Sequence, residues 1–173
     1  MIPMAILLEK DFIHELKRRL KALERLGEVD VGWFGETGTH DSSGWNYPTL
    51  ASYHASGDSS KNIPPRPVLE IAYGFNPFNK SPLKSSLNKY LSNIKGKPLV
   101  KPKWVAEQYA SYYVNQTKML FGDTSKLTPN SSNVVALKQE DGVNPAQNPL
   151  VWTGSLRDNT SYKIQGQVVT PQY

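Results

Sequence analysis

Apolar residues recur at spacings of three and four from Asp11 to Leu26. Phe12, Ile13, Leu16, Leu20, Leu23 and Leu26 share one side, while Lys10, Lys17, Arg18, Lys21 and Arg25 fall on other faces. That period predicts an amphipathic helix ending at Gly27. From Val29 to Phe34 the period drops to two, with Val29, Val31 and Trp33 on one side and Asp30 and Gly32 on the other. This is the pattern of a half-buried strand. Residues 35–47 are rich in Gly, Ser, Thr and Asp and predict a protruding loop or hairpin tip. Thr49 to Ala55 predicts a short helix or strand closed by Gly57, followed by a flexible loop at Asp58-Ser59-Ser60-Lys61.

Pro64, Pro65 and Pro67 then surround Arg66. Each proline fixes its own φ and drives the preceding residue out of the helical region, so the sequence predicts a stiff extended arm within 58–67. Apolar character continues through Val68 to Tyr73, read here as a strand. Asn76-Pro77 and Ser81-Pro82 are turn signals. Leu83, Leu87, Tyr90, Leu91 and Ile94 mark a helix that Lys95-Gly96-Lys97-Pro98 ends. Lys103 to Phe121, with Trp104, Tyr109, Tyr112 and Tyr113, reads as a long amphipathic helix whose aromatic stripe belongs to the core. Thr128-Pro129 offers a cap and first-turn pair for a helix to about Lys138. Thr153 is placed to cap a single turn that anchors Leu156 and leaves Arg157 projecting. Tyr162-Lys163-Ile164 and Gln167-Val168-Val169 alternate as strands, the first expected to join the Val29 sheet.

These elements give an α+β fold in one domain, residues 1–173. A small, mostly antiparallel sheet from the Val29, Val68 and Tyr162 regions packs against a long helix near the N-terminus and a long central helix. The 35–47 loop and the proline-rich arm protrude.

Composition narrows the chemistry. The 173 residues suit one core, and the absence of cysteine removes disulfides, thiolate metal sites and a cysteine nucleophile. Mean hydropathy is −0.50, and no window approaches the length of apolar chain that spans a bilayer. Met1 to Leu8 lacks preceding positive residues and runs straight into Glu9, Lys10 and Asp11, so it does not read as a signal peptide. A formal charge of +5 and a pI near 9.3 point to weak, salt-sensitive attraction to polyanions at most. The cationic side of the first helix is a solvated outer face or one turned towards DNA, lipid or an acidic subunit, and the pattern does not separate these.

His14, His40 and His54 have no ligand spacing and read as surface or packing residues. Catalytic signatures are equally missing. There is no Gly-x-Ser-x-Gly elbow, no phosphate-binding glycine loop and no His-Glu-x-x-His. A hydrolase built from His54 and Ser155 is the weakest reading. The expectation is no enzyme and no cofactor.

Two stretches carry a resemblance. Val31-Gly32-Trp33-Phe34, Tyr47-Pro48, Leu50 to Gly57 and Asn62 to Ala72 follow one another in an order similar to the central motif of the bacteriophage neck family of tail-completion (head-to-tail joining) proteins. About 80 residues further on, Pro149-Leu150-Val151-Trp152-Thr153-Gly154-Ser155-Leu156-Arg157 resembles the second block of that family. Two departures stand out: Val68 occupies a position usually held by a large aromatic, and Trp152 one where an acidic residue commonly precedes the threonine.

The resemblance implies a structural virion protein assembled in the host cytoplasm. It implies a ring of about six copies in the neck, between the head-side connector or stopper and the tail terminator or tail tube, with genomic double-stranded DNA in the lumen. It also implies no membrane partner. Interface residues would be Pro64, Pro65, Arg66, Pro67, Trp152, Thr153 and Arg157, the last in a buried salt bridge or interface pair. The alternative from another class is a basic nucleic-acid-binding module that uses the first helix and the aromatic helix.

Overall fold

One helix packs against the sheet and four of the other helices. In the computed structural model, which describes residues 4–75, 81–94 and 96–172, this is α5, Pro102–Leu120. Ahead of it come α1 (Met4–Glu24), β1 (Val29–Gly32), α2 (Tyr47–Ser56), α3 (Val68–Phe75) and α4 (Leu83–Leu91). After it come α6 (Ser132–Glu140), α7 (Ser155–Asp158), β2 (Ser161–Ile164) and β3 (Gln167–Val169). The expected α+β class is what the chain adopts, with seven helices and one three-stranded antiparallel sheet among the described residues.

Strand β2 is the middle of the sheet. Val29 stands opposite Ile164 and Val31 opposite Tyr162, while Tyr162 also faces Val169 across β3. The β2–β3 hairpin turns on Gln165 and Gly166, both at positive φ, the two-residue loop whose twist matches its strands. The inner side of the sheet meets α5 through Ala106, Ala110 and Val114, a spacing of four that lines up small residues on one face. Small side chains there let the helix lie close to Tyr162 and Ile164. Of the aromatic stripe expected in the core, Tyr113 is buried on another face of α5 and stacks on Tyr73 of α3 with ring centroids 4.3 Å apart, while Trp104, Tyr109 and Tyr112 are half-buried.

A second cluster lies at the C-terminal end of α5. Tyr47, Val68, Ala72, Leu120, Phe121, Leu127 and Leu156 are buried together, with Trp33, Leu50, Leu150 and Val151 against them. Trp33 donates its indole N–H to the Leu156 carbonyl at 2.7 Å, fastening the end of β1 to α7.

Four boundaries differ from the sequence reading. The first helix, expected from Asp11 to Leu26, runs from Met4 to Glu24. The Val68 region is a helix and contributes nothing to the sheet. Burial at Val68 and Ala72, with Ile71 half-buried, follows a helical period, and Ile71 N–H bonds back to Pro67 in the first turn. The helix expected from Thr128-Pro129 begins instead at Ser132, because the carbonyls of Thr128 and Pro129 are turned aside to Arg66. The turn at Ser155 is capped by Gly154 in the left-handed region, and the expected cap Thr153 stands one residue ahead of it, its Oγ1 accepting from Ser155 N–H at 3.3 Å. The expected Asn76-Pro77 turn lies outside the described residues, as does Lys95.

Candidate functional site

Gly57 decides where the proline-rich arm runs. It ends α2 at φ +70°, and a Cβ placed on it would sit 2.6 Å from the Ile63 carbonyl oxygen and 2.7 Å from Pro65 N. Only glycine lets the returning chain cross this close. The loop before the arm is closed by reciprocal bonds between Asp58 and Ile63 of 2.8 and 2.9 Å, and Asp58 also accepts from Tyr53 Oη, Ser60 N and Ser60 Oγ. Extended Pro64 to Pro67 then alternates: Pro65 faces solvent while Arg66 turns inward and is 6% exposed. The arm expected to protrude is therefore held along its length by the Arg66 side chain.

Arg66 stays inside without a carboxylate. Its Nε donates to Thr128 O at 2.8 Å, and its Nη2 to Pro129 O at 3.0 Å and Asn130 Oδ1 at 3.2 Å. Its backbone N–H bonds to His54 O at 2.8 Å. Asn130 passes the connection on, because its Nδ2 donates to Ala146 O and Asn148 O, both at 3.0 Å. From the other side Lys138, on the inward face of α6, donates Nζ to Asn148 O at 2.7 Å and to Val151 O, with the Trp152 ring 5.8 Å away. A polar network thus runs from the arm to the second motif. Burial lowers the basicity of Arg66, and burial together with the neighbouring Arg66 charge lowers that of Lys138.

Between these walls lies a cleft of about 550 Å3. Leu50, Ile63, Val134, Leu150, Val151 and Leu156 supply its apolar lining, and His40, His54, Arg66, Trp152 and Thr153 its polar groups. Leu150 holds φ +58°, an uncommon conformation for a side chain branched at Cγ. His54 Nδ1 is buried with no partner, and burial first, then the charges of Arg66 and His40, hold its imidazole down at about 4. At neutral pH it is uncharged. Across the mouth, His40 Nε2 is 3.4 Å from Thr153 Oγ1, which is 2.8 Å from Ser155 Oγ. His40 Nδ1 is occupied by Ser43 and Ser42 hydroxyls.

Of the residues marked from sequence, Pro64, Arg66, Trp152 and Thr153 come together on this cleft. Pro65 and Pro67 do not line it. Arg157 is elsewhere too. It is half-exposed and pairs with its neighbour Asp158 at 2.8 Å, so the buried salt bridge expected of it does not form within the chain. Trp152 is partly exposed, with its indole N–H on Asp141 Oδ2 at 3.0 Å.

Two central cations escaped the sequence reading. Lys138 and Arg19 both lie on the apolar side of their helices, Lys138 one turn after Val134, and Arg19 between Leu16 and Leu23. That placement was the available signal. Among the described residues no group of His, Asp and Glu is arranged to hold a metal ion, and no helix is long and apolar enough to cross a membrane. Comparison of the chain with protein-family models, curated proteins and solved structures gives no significant match.

Proposed function

We propose that the chain is a structural subunit of the neck of a tailed bacteriophage. It would form a ring of about six copies that joins the head-side connector to the tail tube, with the genome passing through the lumen. One observation carries this reading. The two stretches on which the family resemblance rests, about 80 residues apart, fold onto each other: Tyr47, Val68 and Leu156 share a core, and Pro64, Arg66, Trp152 and Thr153 line one cleft.

The docking elements such a role requires are also present. On α1, Phe12, Ile13 and Leu20 are each more than 40% exposed. An apolar stripe left in water on a helix is a feature of surfaces that acquire a partner. The nucleic-acid alternative draws its support from the charge of +5, but Arg19, Arg66, Lys118 and Lys138 are all buried. Their side chains are therefore out of direct reach of a phosphate backbone.

The test is the mass of the purified protein by light scattering at two salt concentrations, with and without duplex DNA. A ring-sized mass indifferent to DNA supports the neck reading. A monomer that moves onto DNA at low salt refutes it in favour of the nucleic-acid module.

A further inference from the structure

Helix α1 carries a line of basic residues that the rest of the chain leaves unpaired. Lys10, His14, Lys17 and Lys21 are all exposed and follow one another at spacings of four, three and four. At about 100° per residue they fall within an arc of about 60°, a single line about 17 Å long. Elsewhere on the surface Lys61, Lys103, Lys126 and Lys163 each come within 4.0 Å of a carboxylate. Lys10, Lys17 and Lys21 form no ion pair among the described residues.

One margin of the line is apolar. Ile13 and Leu20, seven residues apart, stand beside Lys17 and are 49% and 47% exposed. The other margin holds Arg18, already paired with Glu15 at 2.7 Å. Exposed carboxylates border this surface, Glu24 one turn beyond Leu20 and Asp11 on the far side of Arg18. A duplex or a bilayer is broad enough to bring its phosphates against those carboxylates as well as against the lysines, and the repulsion offsets the attraction. A single helix, about 10 Å across, meets the lysines and the apolar margin alone. A second copy cannot supply that helix. Outside α1 no helix of this chain carries more than one acidic residue, and on α1 Glu15 is bound by Arg18 and Arg19.

We propose that this side of α1 docks an acidic amphipathic helix of a different protein, its carboxylates spaced like the lysines they face and its apolar residues seated on Ile13 and Leu20. The charges set the orientation of such a contact, and the buried apolar pair supplies affinity. The contact forms whether or not copies of this chain close into a ring.

Two labelled synthetic helices serve as probes, one with Leu residues seven apart flanked by Glu at the lysine spacing, the other identical but with Lys for Glu. Fluorescence anisotropy with the full chain at low salt should show the Glu helix bound at least about tenfold more tightly. Lys10→Glu/Lys17→Glu should reverse that preference. Lys84→Glu/Lys101→Glu makes the same charge change at exposed lysines elsewhere and should leave the preference within about twofold. Ile13→Gln/Leu20→Gln should weaken the Glu helix by about tenfold while keeping its advantage over the Lys helix.

Equal binding of the two helices, or an equal loss in both pairs of charge variants, overturns the docking surface and leaves a solvated face. Unchanged affinity in Ile13→Gln/Leu20→Gln overturns it too, because bare charge attraction would then suffice. Vesicles of phosphatidylcholine and phosphatidylglycerol, or random duplex DNA, holding the chain more tightly than the Glu helix does would replace the acidic partner by a lipid or nucleic-acid surface. A concentration-dependent dimer that Ile13→Gln/Leu20→Gln abolishes would assign the face to a second copy.

Discussion

Arg19 is the sharpest place to test how this fold is held. It is 1% exposed on α1, and its guanidinium reaches the carbonyls where α4 ends: Nη1 to Tyr90 O at 2.7 Å and Ser92 O at 2.9 Å, Nη2 to Asn93 O at 2.9 Å and Gly96 O at 2.7 Å. The Tyr90 hydroxyl answers by donating to Arg19 O at 3.1 Å. Arg19→Met keeps much of the volume and removes these four bonds, together with the partly exposed Nε bond to Glu15 Oε1 at 2.8 Å. Replacing a buried ion pair with apolar residues is often harmless, but here the partners are backbone carbonyls that stay behind. The bond to Tyr90 O is buried, and losing it costs about 1–3 kcal/mol. The other three acceptors are partly exposed and regain water, so each costs about 0.5 kcal/mol. The total is about 2.5–4.5 kcal/mol, a fall of roughly 5–18 °C in midpoint for a domain of this size. Urea denaturation followed by circular dichroism measures it. Arg18→Met, one position away on an exposed side chain paired with Glu15, is the control and should change little. If the two variants are equally stable, the carbonyl cradle does not fasten α1 to the body.

Gly57→Ala and Gly27→Ala both place a side chain at φ near +70°, but only at Gly57 would the Cβ meet backbone; the first should cost about 2 kcal/mol more than the second, and similar midpoints would count against the close crossing. His54 is held neutral in the fold at about 4, below its ordinary 6.5. The unfolded chain therefore binds the proton first, and stability should fall as pH drops from 6.5 towards 4, by up to about 2 kcal/mol at pH 5. His54→Leu should flatten that window in denaturation titrations run at pH 7.5 and 5. Glu15, kept near 2 mainly by its bonds to Arg18 and then Arg19, belongs to a separate acid limb well below it. Random duplex DNA should bind only weakly at 50 mM salt, with a shallow salt dependence in fluorescence anisotropy, because Arg19, Arg66, Lys118 and Lys138 are unavailable to phosphates.

The long periodic segments were legible from the chain alone. α1 and α5 follow from spacing, and so does the pairing of Tyr162 with the Val29 strand. Val68 to Phe75 was not, since a short apolar run next to prolines has no period long enough to separate strand from helix, and burial at Val68 and Ala72 settles it. Arg66 was misplaced outward for a different reason. Nothing local to Pro-x-Arg-Pro foretells that acceptors 62, 63 and 64 residues away will turn three oxygens towards it. The cleft was invisible in the same way, being assembled from α2, the arm, α6 and the 150–156 segment.

The buried cations follow one rule. Arg19, Arg66, Lys118 and Lys138 each bond to main-chain carbonyls, at the end of α4, at 128–129, at Pro171 and at 148–151 respectively. A carbonyl left over at a helix end or in an extended segment must find a donor, and a long cationic side chain reaches several at once. Arg19 also meets the Glu15 carboxylate at 2.8 Å, which offsets its charge, whereas Arg66 and Lys138 bond to no carboxylate among the described residues. Carbonyls satisfy the hydrogen bonds and leave the charge in place, so the interior keeps a positive field wherever such a residue borders a cavity. At Arg66 and Lys138 that cavity is open, and His54 beside it stays unprotonated. The device that locks the two motif stretches together thereby also places two cations on their shared cleft, with the Asp141 carboxylate at its rim. An approaching carboxylate would raise the His54 pKa from about 4 towards its ordinary value. His54 C–H chemical shifts titrated in the separate and the associated states should show that rise, and an unchanged pKa on association would mean that no carboxylate has entered.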